Sequence, residues 1–193
     1  MDINILMLCV AIASVSCCVW THFINDPEKI FLTDQLTNVF NRHFIPEIEN
    51  KELSGSKYYV VFADIDFFKK VNDTYGHDNG DLTLIEFSRI LKQSIKNNSD
   101  YIVRWGGEEF VIFLKVINTE IFTEDKLLER VNYLRNIIEK SNIEINAENI
   151  DSINITSSFG ICSNLDLSIE DRIKEADKNL YKAKTTGRNK VVA

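Results

Sequence analysis

Two short apolar strands joined by adjacent glycines constrain the fold of this 193-residue chain more than any other feature. Residues 101–104 and 110–114 are the predicted strands, with Gly106 and Gly107 between them. Adjacent glycines between strands are typical of a β-hairpin with a primed turn, so we expect positive φ at both. Two glutamates follow the glycines at once and place two carboxylates at the mouth of the hairpin. A Gly-Gly hairpin is also common as an ordinary turn with solvated acids beside it. Only the rest of the chain can therefore indicate whether these acids form a site.

Composition excludes several classes of partner and of site. The formal net charge is −7, whereas proteins that bind nucleic acid normally present a basic face, so we expect neither DNA nor long RNA as a partner. No C-x-x-C pair occurs among the four cysteines, which predicts neither a zinc site nor a dithiol redox motif. An acidic site that holds Mg²⁺, and a nucleotide through the metal, would suit this charge balance.

The N-terminal stretch is predicted to anchor the chain in a membrane. Residues 3–20 are largely apolar, with Asn4 near the start, and carry no charge, and their number is about the minimum for a membrane-spanning helix. There are two alternatives. One is a signal peptide, which normally begins with basic residues, and the other is a buried soluble helix, which normally has one polar face. We therefore predict an anchor over residues 1–22, a linker over residues 23–32 and one globular domain over residues 33–193.

Hydrophobic spacing predicts the elements of the domain. Apolar residues four apart predict a helix over residues 33–50, and a continuous apolar run predicts a buried strand over residues 58–63. Residues 143–151 are polar and read as a loop. The remaining predicted elements are a helix opened by Gly80 and Asp81, the hairpin strands, a helix around residues 127–138, an alternating strand over residues 153–161 and a helix over residues 169–183.

The order of strands and helices predicts which carboxylates become neighbours. Strand, helix, strand, strand, helix, strand is the ferredoxin-like, palm-like order of an α+β fold, an antiparallel sheet flanked by helices. The first strand lies antiparallel to the third in that arrangement, so Asp64 at the end of one should meet Glu108 at the start of the other. With Asp66 and Glu109 beside them, the acids would repel one another unless a cation binds. Oxygen ligands with positions left open for phosphate suit Mg²⁺.

Polar residues beyond the acids each admit more than one reading. Lys69 is placed to reach a polyphosphate or is simply solvated. Asn72 and Asp81 suit the donors of a guanine edge, although Asp81 would equally cap a helix. His77 could cap, bind a ligand or pack. Another set, Lys184, Gly187 and Arg188, reads as a phosphate clamp or as the ordinary end of a helix.

Several motifs together resemble one known family, the GGDEF domains or bacterial diguanylate cyclases. The signature over residues 106–110 resembles its common Glu variant, and residues 34–42 resemble its opening motif with Asn38 in place of a glycine. Residues 62–69 resemble its metal loop, residues 72–81 its guanine loop and residues 176–189 its closing segment. The resemblance covers about residues 31–192, with the motifs in order.

The resemblance implies an activity, a cofactor and partners. It implies that two GTP condense to cyclic di-GMP with release of two pyrophosphates across a homodimer, with Mg²⁺ as cofactor and Mn²⁺ as the alternative. With the predicted anchor, we expect a location at the inner, cytoplasmic membrane with the catalytic domain in the cytoplasm, or a soluble cytoplasmic protein if the N-terminal run is no anchor. Alternatives of other classes are a silent GTP-binding module and a cyclase that uses ATP, against which Asp81 argues.

The matched positions imply a role for each site residue. Many relatives also carry R-x-x-D five residues before the glycine pair, where the product inhibits the enzyme; here Asn97 replaces the arginine, so we expect weak or absent feedback. The implied set comprises metal ligands Asp64, the carbonyl of Ile65 and Glu108; catalytic Glu108, Glu109 and Lys69; and substrate-binding Asn72, His77, Asp81, Gly106, Gly107, Lys184 and Arg188.

Overall fold

A computed structural model describes residues 31–95, 99–147 and 150–193. The predicted anchor, most of the linker and Asn97 lie outside these ranges. Within them, no helix is both long and apolar enough to cross a membrane.

The described chain alternates short and long elements around one main sheet. The strands are β1 (Phe40–Asn41), β2 (Tyr58–Ile65), β3 (Tyr101–Gly106), β4 (Glu109–Lys115), β5 (Ile143–Ala147), β6 (Ile150–Ile153), β7 (Ser157–Cys162) and β8 (Val191–Val192). The helices are α1 (Ile45–Leu53), α2 (Phe68–Tyr75), α3 (His77–Ser94), α4 (Glu124–Lys140) and α5 (Ile169–Thr185), with a 3-10 turn at Arg42–Phe44 before α1.

The sheet confirms the predicted strand order at its centre. Its order is β1-β3-β4-β2-β7-β8, and the four central strands pair antiparallel as in a ferredoxin-like fold. The two-residue edge strands β1 and β8 pair in parallel with β3 and β7, which makes the sheet mixed rather than wholly antiparallel. The fold is therefore α+β, as expected, with a correction at both edges.

Strand β2 is buried on both faces, as its continuous apolar sequence predicts. Val61 and Ala63 point into a cluster with α3 and α4, whereas Val60 and Phe62 point into a second cluster with α1 and α5. Helices thus cover both faces, and β2 runs between them to the site. Gly160 on β7 lets α5 approach closely, because a Cβ there would overlap the α5 backbone at Ala176 and Leu180.

The helix predicted over residues 33–50 is wrong for its first half. The chain instead turns back on itself, where Asp34 N donates to Val39 O at 2.8 Å and Asn38 takes a φ of 53°. Asparagine tolerates this left-handed conformation, which glycine would otherwise supply. Helix α1 begins only at Ile45, and Pro46 lies in its first turn, where proline is accepted.

Two other predicted boundaries also need correction. Residues 143–151, predicted as a loop, contain β5 and the start of β6, which form a separate two-stranded hairpin. Its isoleucines Ile143 and Ile145 are buried, while polar side chains alternate with them on the exposed face. Helix α3 begins at His77 rather than at Gly80, because Gly76 at φ 85° supplies the turn before it. Asp81 therefore lies inside the helix and is not its cap.

Candidate active site

Strand pairing brings the predicted acids together at one end of the sheet. Asp64 on β2 is the direct partner of Glu109 on β4, and Glu108 precedes Glu109 by one residue. Asp64 is 4% exposed, whereas Glu108 and Glu109 are half-buried. Residues more than forty positions apart are thus neighbours, as the topology predicted.

Helix α5 supplies a cation to this acidic cluster. Lys184 Nζ lies 2.7 Å from Asp64 Oδ2, so the last helix folds back toward Asp64, as the phosphate-clamp reading of Lys184 requires. The Lys184 side chain is 29% exposed, so it contacts both the buried carboxylate and solvent. Lys184 is therefore placed to contact an anion that binds beside the same acids.

Burial and like charges control the ionisation of the acids. Burial raises the pKa of Asp64 to about 6, against the hydrogen bond and charge of Lys184, and Glu108 and Glu109 raise it further. Burial also raises the pKa of Glu109, against the charge of Lys184 and together with the charges of Asp177 and Glu108. Folding therefore favours the protonated forms of both acids, and a bound cation would reverse that preference.

Asp64 should make the metal-free protein less stable as pH rises from about 4 to about 6. Folding raises the pKa of this carboxyl from 3.8 to about 6, so its contribution is full below pH 3.8 and disappears as pH passes the folded pKa. The loss amounts to about 3 kcal/mol. Urea unfolding of the wild type and of Asp64→Asn across this window measures it. A constant difference in stability between the two proteins would contradict the expectation.

The signature turn differs in detail from the predicted one. Gly106 pairs with Glu109 after a bulge at Trp105, so Gly107 and Glu108 occupy the centre of the turn. Only Gly107 has positive φ, at 48°, and the expectation for Gly106 is wrong. A glycine with positive φ at the first central position is typical of a type II′ turn. Glu108 therefore lies at the centre of the turn, where it is half-buried.

Arg104 holds this turn, a contact that the sequence reasoning missed. Its Nε and Nη2 donate to Gly107 O at 3.0 and 2.9 Å, and its Nη1 donates to both carboxylate oxygens of Asp34 at 3.0 and 3.2 Å. Burial opposes ionisation of Asp34, but hydrogen bonds from Thr37 and Arg104 hold its pKa below the usual value. The available signal was an arginine two residues before the glycine pair, which the sequence analysis treats only as the end of a strand.

Asp66 supports the site rather than lining it. Its carboxylate accepts hydrogen bonds from Thr156 Oγ1 at 2.7 Å, Ser158 Oγ at 2.7 Å and the Asn189 amide at 2.9 Å. These donors bind the C-terminal loop to the end of β2. We expected Asp64 and Asp66 to face Glu108 and Glu109 together. On the β2 side only Asp64 does so.

The predicted guanine-binding residues lie on α2 and the start of α3. Asn72 is half-buried, whereas His77 and Asp81 are exposed. The side chain of Asn72 lies against Gly80, where an added Cβ would overlap Asn72 Oδ1. Gly80 is thus a further residue that shapes this segment, through its contact with Asn72. The exposed groups remain available to a ligand.

Two predicted phosphate-binding cations lie around the same end of the sheet. Lys69 is exposed on α2, and Arg188 follows α5 with a φ of 61°. The guanidinium of Arg188 lies 4.4 Å from the ring centroid of Phe67, which is 60% exposed and has a φ of 57°. Left-handed φ at these two non-glycine residues is a strained arrangement of the type found at functional sites.

The donors at the cluster fit a hard divalent cation. Asp64, Glu108 and the Ile65 carbonyl offer oxygen only, which is the chemistry that Mg²⁺ takes. In the described residues no three side chains of the histidine, cysteine, aspartate or glutamate types form a ready metal-binding group. The predicted set requires just two such side chains, and Lys184 holds Asp64 Oδ2.

Comparison with known proteins gives a consistent result. The family described as diguanylate cyclase, GGDEF domain, matches residues 31–190. Diguanylate cyclase A of Treponema denticola is 37% identical over 180 residues, covering 87% of this chain and 46% of the relative. Diguanylate cyclase DosC of Escherichia coli is 36% identical over 164 residues, covering 82% of this chain and 34% of the relative. The chain thus spans less than half the length of these curated relatives.

A solved structure agrees with the sequence relatives. The GGDEF domain of DgcB from Caulobacter crescentus, determined in complex with c-di-GMP, superposes with a TM-score of 0.72 at 27% identity. The match covers 84% of this chain and 95% of that domain. Since the family match spans most of the chain and includes the acidic cluster and its turn, this chain belongs to the diguanylate cyclase GGDEF domain family.

Proposed function

We propose that the protein is a diguanylate cyclase, which condenses two GTP into cyclic di-GMP and releases two pyrophosphates. The observation that carries the proposal is the cluster of Asp64, Glu108 and Glu109, joined by strand pairing and met by Lys184 at 2.7 Å. Each matches the family motif at its position. Carboxylates with an adjacent cation suit phosphoryl transfer, where positioning and charge neutralisation dominate.

Each domain would prepare one nucleotide. Asp64, Glu108 and the Ile65 carbonyl would hold Mg²⁺, which supplies charge neutralisation at the phosphates when bound. Glu108 and Glu109 would also favour loss of the proton from a 3′-hydroxyl. The cations that would neutralise phosphate are Lys69, Lys184 and Arg188, and the groups that would hold guanine are Asn72, His77 and Asp81, with Gly106 and Gly107 admitting the nucleotide closely.

The stoichiometry requires two such domains. Each 3′-oxygen attacks the α-phosphorus of the other GTP, forming a phosphodiester bond as the bond to pyrophosphate breaks. One bound GTP supplies one hydroxyl and one α-phosphorus, whereas the product ring contains two new bonds. We therefore infer a homodimer with the two sites facing each other, and an N-terminal anchor would concentrate the domains in a membrane plane.

Incubation of the full-length protein with GTP and Mg²⁺, followed by mass identification of the product, tests the function. We expect cyclic di-GMP and two pyrophosphates per product, with activity per molecule that falls on dilution. GTP binding without product would favour the silent module, and a cyclic product from ATP would favour the other cyclase. Omitting the divalent cation should remove turnover.

Gly80→Ala should raise the KM for GTP by about 3–10-fold and leave kcat little changed. The added methyl group would displace the side chain of Asn72 from its place against Gly80, and so weaken a guanine contact. Alanine is favoured within a helix, so α3 should persist. Steady-state kinetics with Asn72→Ala and the double variant checks the cause. A double variant much worse than either single one would contradict it.

Added cyclic di-GMP should inhibit the wild-type enzyme weakly or not at all. Asn97 is short and neutral, whereas an arginine fork would contribute about 1–3 kcal/mol to product binding. Asp100 is already engaged, because its carboxylate accepts from Lys115 N and Arg130 Nη2, both at 2.7 Å. Inhibition curves for the wild type and Asn97→Arg test this. Strong inhibition of the wild type that persists in Asp100→Ala would place feedback elsewhere.

A further inference from the structure

Arg104 is the link between the signature turn and the body of the domain. One edge of its guanidinium donates two hydrogen bonds to Gly107 O, and Nη1 donates to both oxygens of Asp34. Its side chain is 15% exposed and that of Asp34 is 23% exposed. A planar fork that is shielded in this way fixes direction as well as distance.

Little else supports the turn. Gly106 and Gly107 are exposed, and a Cβ built on either would meet no described atom within 4 Å. The space where a side chain would begin is thus open at both positions. Glu108 follows in the same turn, so its place relative to Asp64 depends on how the Gly107 carbonyl is held.

The other end of the link is firmly anchored. Asp34 Oδ1 also accepts from Thr37 N at 2.9 Å and Thr37 Oγ1 at 2.6 Å. Asp34 N donates to the carbonyl of Val39, whose side chain is 4% exposed in the core. The opening motif thus gives Arg104 a fixed carboxylate, and Arg104 extends that order to the turn.

We propose that Arg104, oriented by Asp34, is a positioning residue that sets the place of Glu108 for turnover. The inference rests on the proposed function, since it concerns the same site. A displacement of about 1 Å at a reacting group can cost about 10²-fold in rate. Loss of the fork should therefore lower kcat by about 10–100-fold while the KM for GTP changes little, because the guanine-binding residues lie on other elements.

Three variants of the full-length protein separate positioning from simple stability. Arg104→Lys keeps a cation for Asp34 but cannot form the fork, Arg104→Ala removes both contacts, and Asp34→Asn weakens the anchor while still accepting from Thr37. Arg89→Ala is the matched control, because Arg89 makes a forked pair with Glu86 at 2.8 and 2.5 Å on the exposed face of α3.

Two measurements are made on these variants, one that requires the proposed activity and one that does not. The first is kcat and KM for GTP, and the second is hydrogen exchange of the amides at residues 105–109, followed beside the melting temperature. We expect all three variants to lose kcat and to exchange these amides at least about 10-fold faster, and Arg89→Ala to match the wild type in both. Asp34→Asn combined with Arg104→Lys should cost no more than the worse single variant, since the two residues act as one unit.

The outcomes distinguish the proposed function from the positioning role of Arg104. A wild type that makes no cyclic di-GMP overturns the proposed function, whereas faster exchange confined to residues 105–109 would still support the clamp on the turn. Wild-type kcat in Arg104→Lys and Arg104→Ala overturns the positioning role. Unchanged exchange at these amides overturns it as well, even where the melting temperature falls.

Discussion

Glu108→Ala should abolish the formation of cyclic di-GMP and leave the fold intact. Glu108 lies at the centre of a turn beside the buried Asp64. Its removal therefore takes away one of the two carboxylates proposed to hold the metal, without opening the core. Loss of a group that stabilises charge in the transition state costs at least about 10²–10³-fold in kcat, and a metal ligand should reach the upper end. Product formation from GTP, measured by chromatography with Mg²⁺ in excess, checks the change.

Controls decide whether a loss of turnover is specific to the acidic cluster. Asp64→Ala should lose turnover to the same degree, because both carboxylates would hold the same cation. Glu129→Ala, at an exposed acid on α4, should retain wild-type turnover. Far-ultraviolet circular dichroism and melting should agree for Glu108→Ala and the wild type. Unchanged turnover in Glu108→Ala would overturn the assignment of this residue to the metal.

Sequence reasoning predicted the centre of the site because topology alone creates it. A buried strand ending in Asp64 and a hairpin strand starting beside Glu108 can pair in one way in a ferredoxin-like order. The pairing of Asp64 with Glu109 confirms this. Lys184 reaches Asp64 because α5 packs closely over Gly160, whereas the sequence left open whether Lys184 belongs to a phosphate clamp or to an ordinary helix end.

Local backbone geometry was harder to predict than topology. Four-residue spacing of apolar side chains from Leu36 predicted a helix, but hydrogen bonds around Asp34 and the left-handed Asn38 form a tight turn instead. In the same way, few apolar residues over 143–151 suggested a loop, although Ile143 and Ile145 suffice to bury one face of a hairpin. Short segments carry too few periods for spacing to distinguish these cases.

Side-chain contacts between distant segments could not be predicted from one sequence. Arg104 and Asp34 are seventy residues apart, and nothing in either stretch specifies that the guanidinium bridges to the Gly107 carbonyl. Asp66 appeared equivalent to Asp64 in the sequence, yet one binds structural donors and the other faces a lysine. The membrane anchor and the roles of the site residues stay predictions.

Arg172→Met should destabilise the domain by about 3–5 kcal/mol. Arg172 on α5 is 1% exposed, and its guanidinium donates to both carboxylate oxygens of Glu52 at 2.8 and 2.6 Å. It also donates to Tyr58 O at 2.5 Å and Leu167 O at 3.0 Å, so one side chain joins α1, β2 and α5. Methionine fills similar volume but leaves the Glu52 carboxylate without its cation. Urea unfolding at neutral pH measures the loss.

Two further variants identify the unpaired charge as the cause. Lys174→Met, two residues along α5, removes exposed pairs with Glu170 at 2.9 Å and Asp171 at 3.3 Å and should leave the free energy of unfolding almost unchanged. Arg172→Met combined with Glu52→Leu should recover most of the lost stability, because apolar groups then replace both charges. A double variant as unstable as Arg172→Met would show that the backbone carbonyls at Tyr58 and Leu167, and not Glu52, dominate. Since α5 carries Lys184 to Asp64, turnover should follow the recovered stability in the double variant.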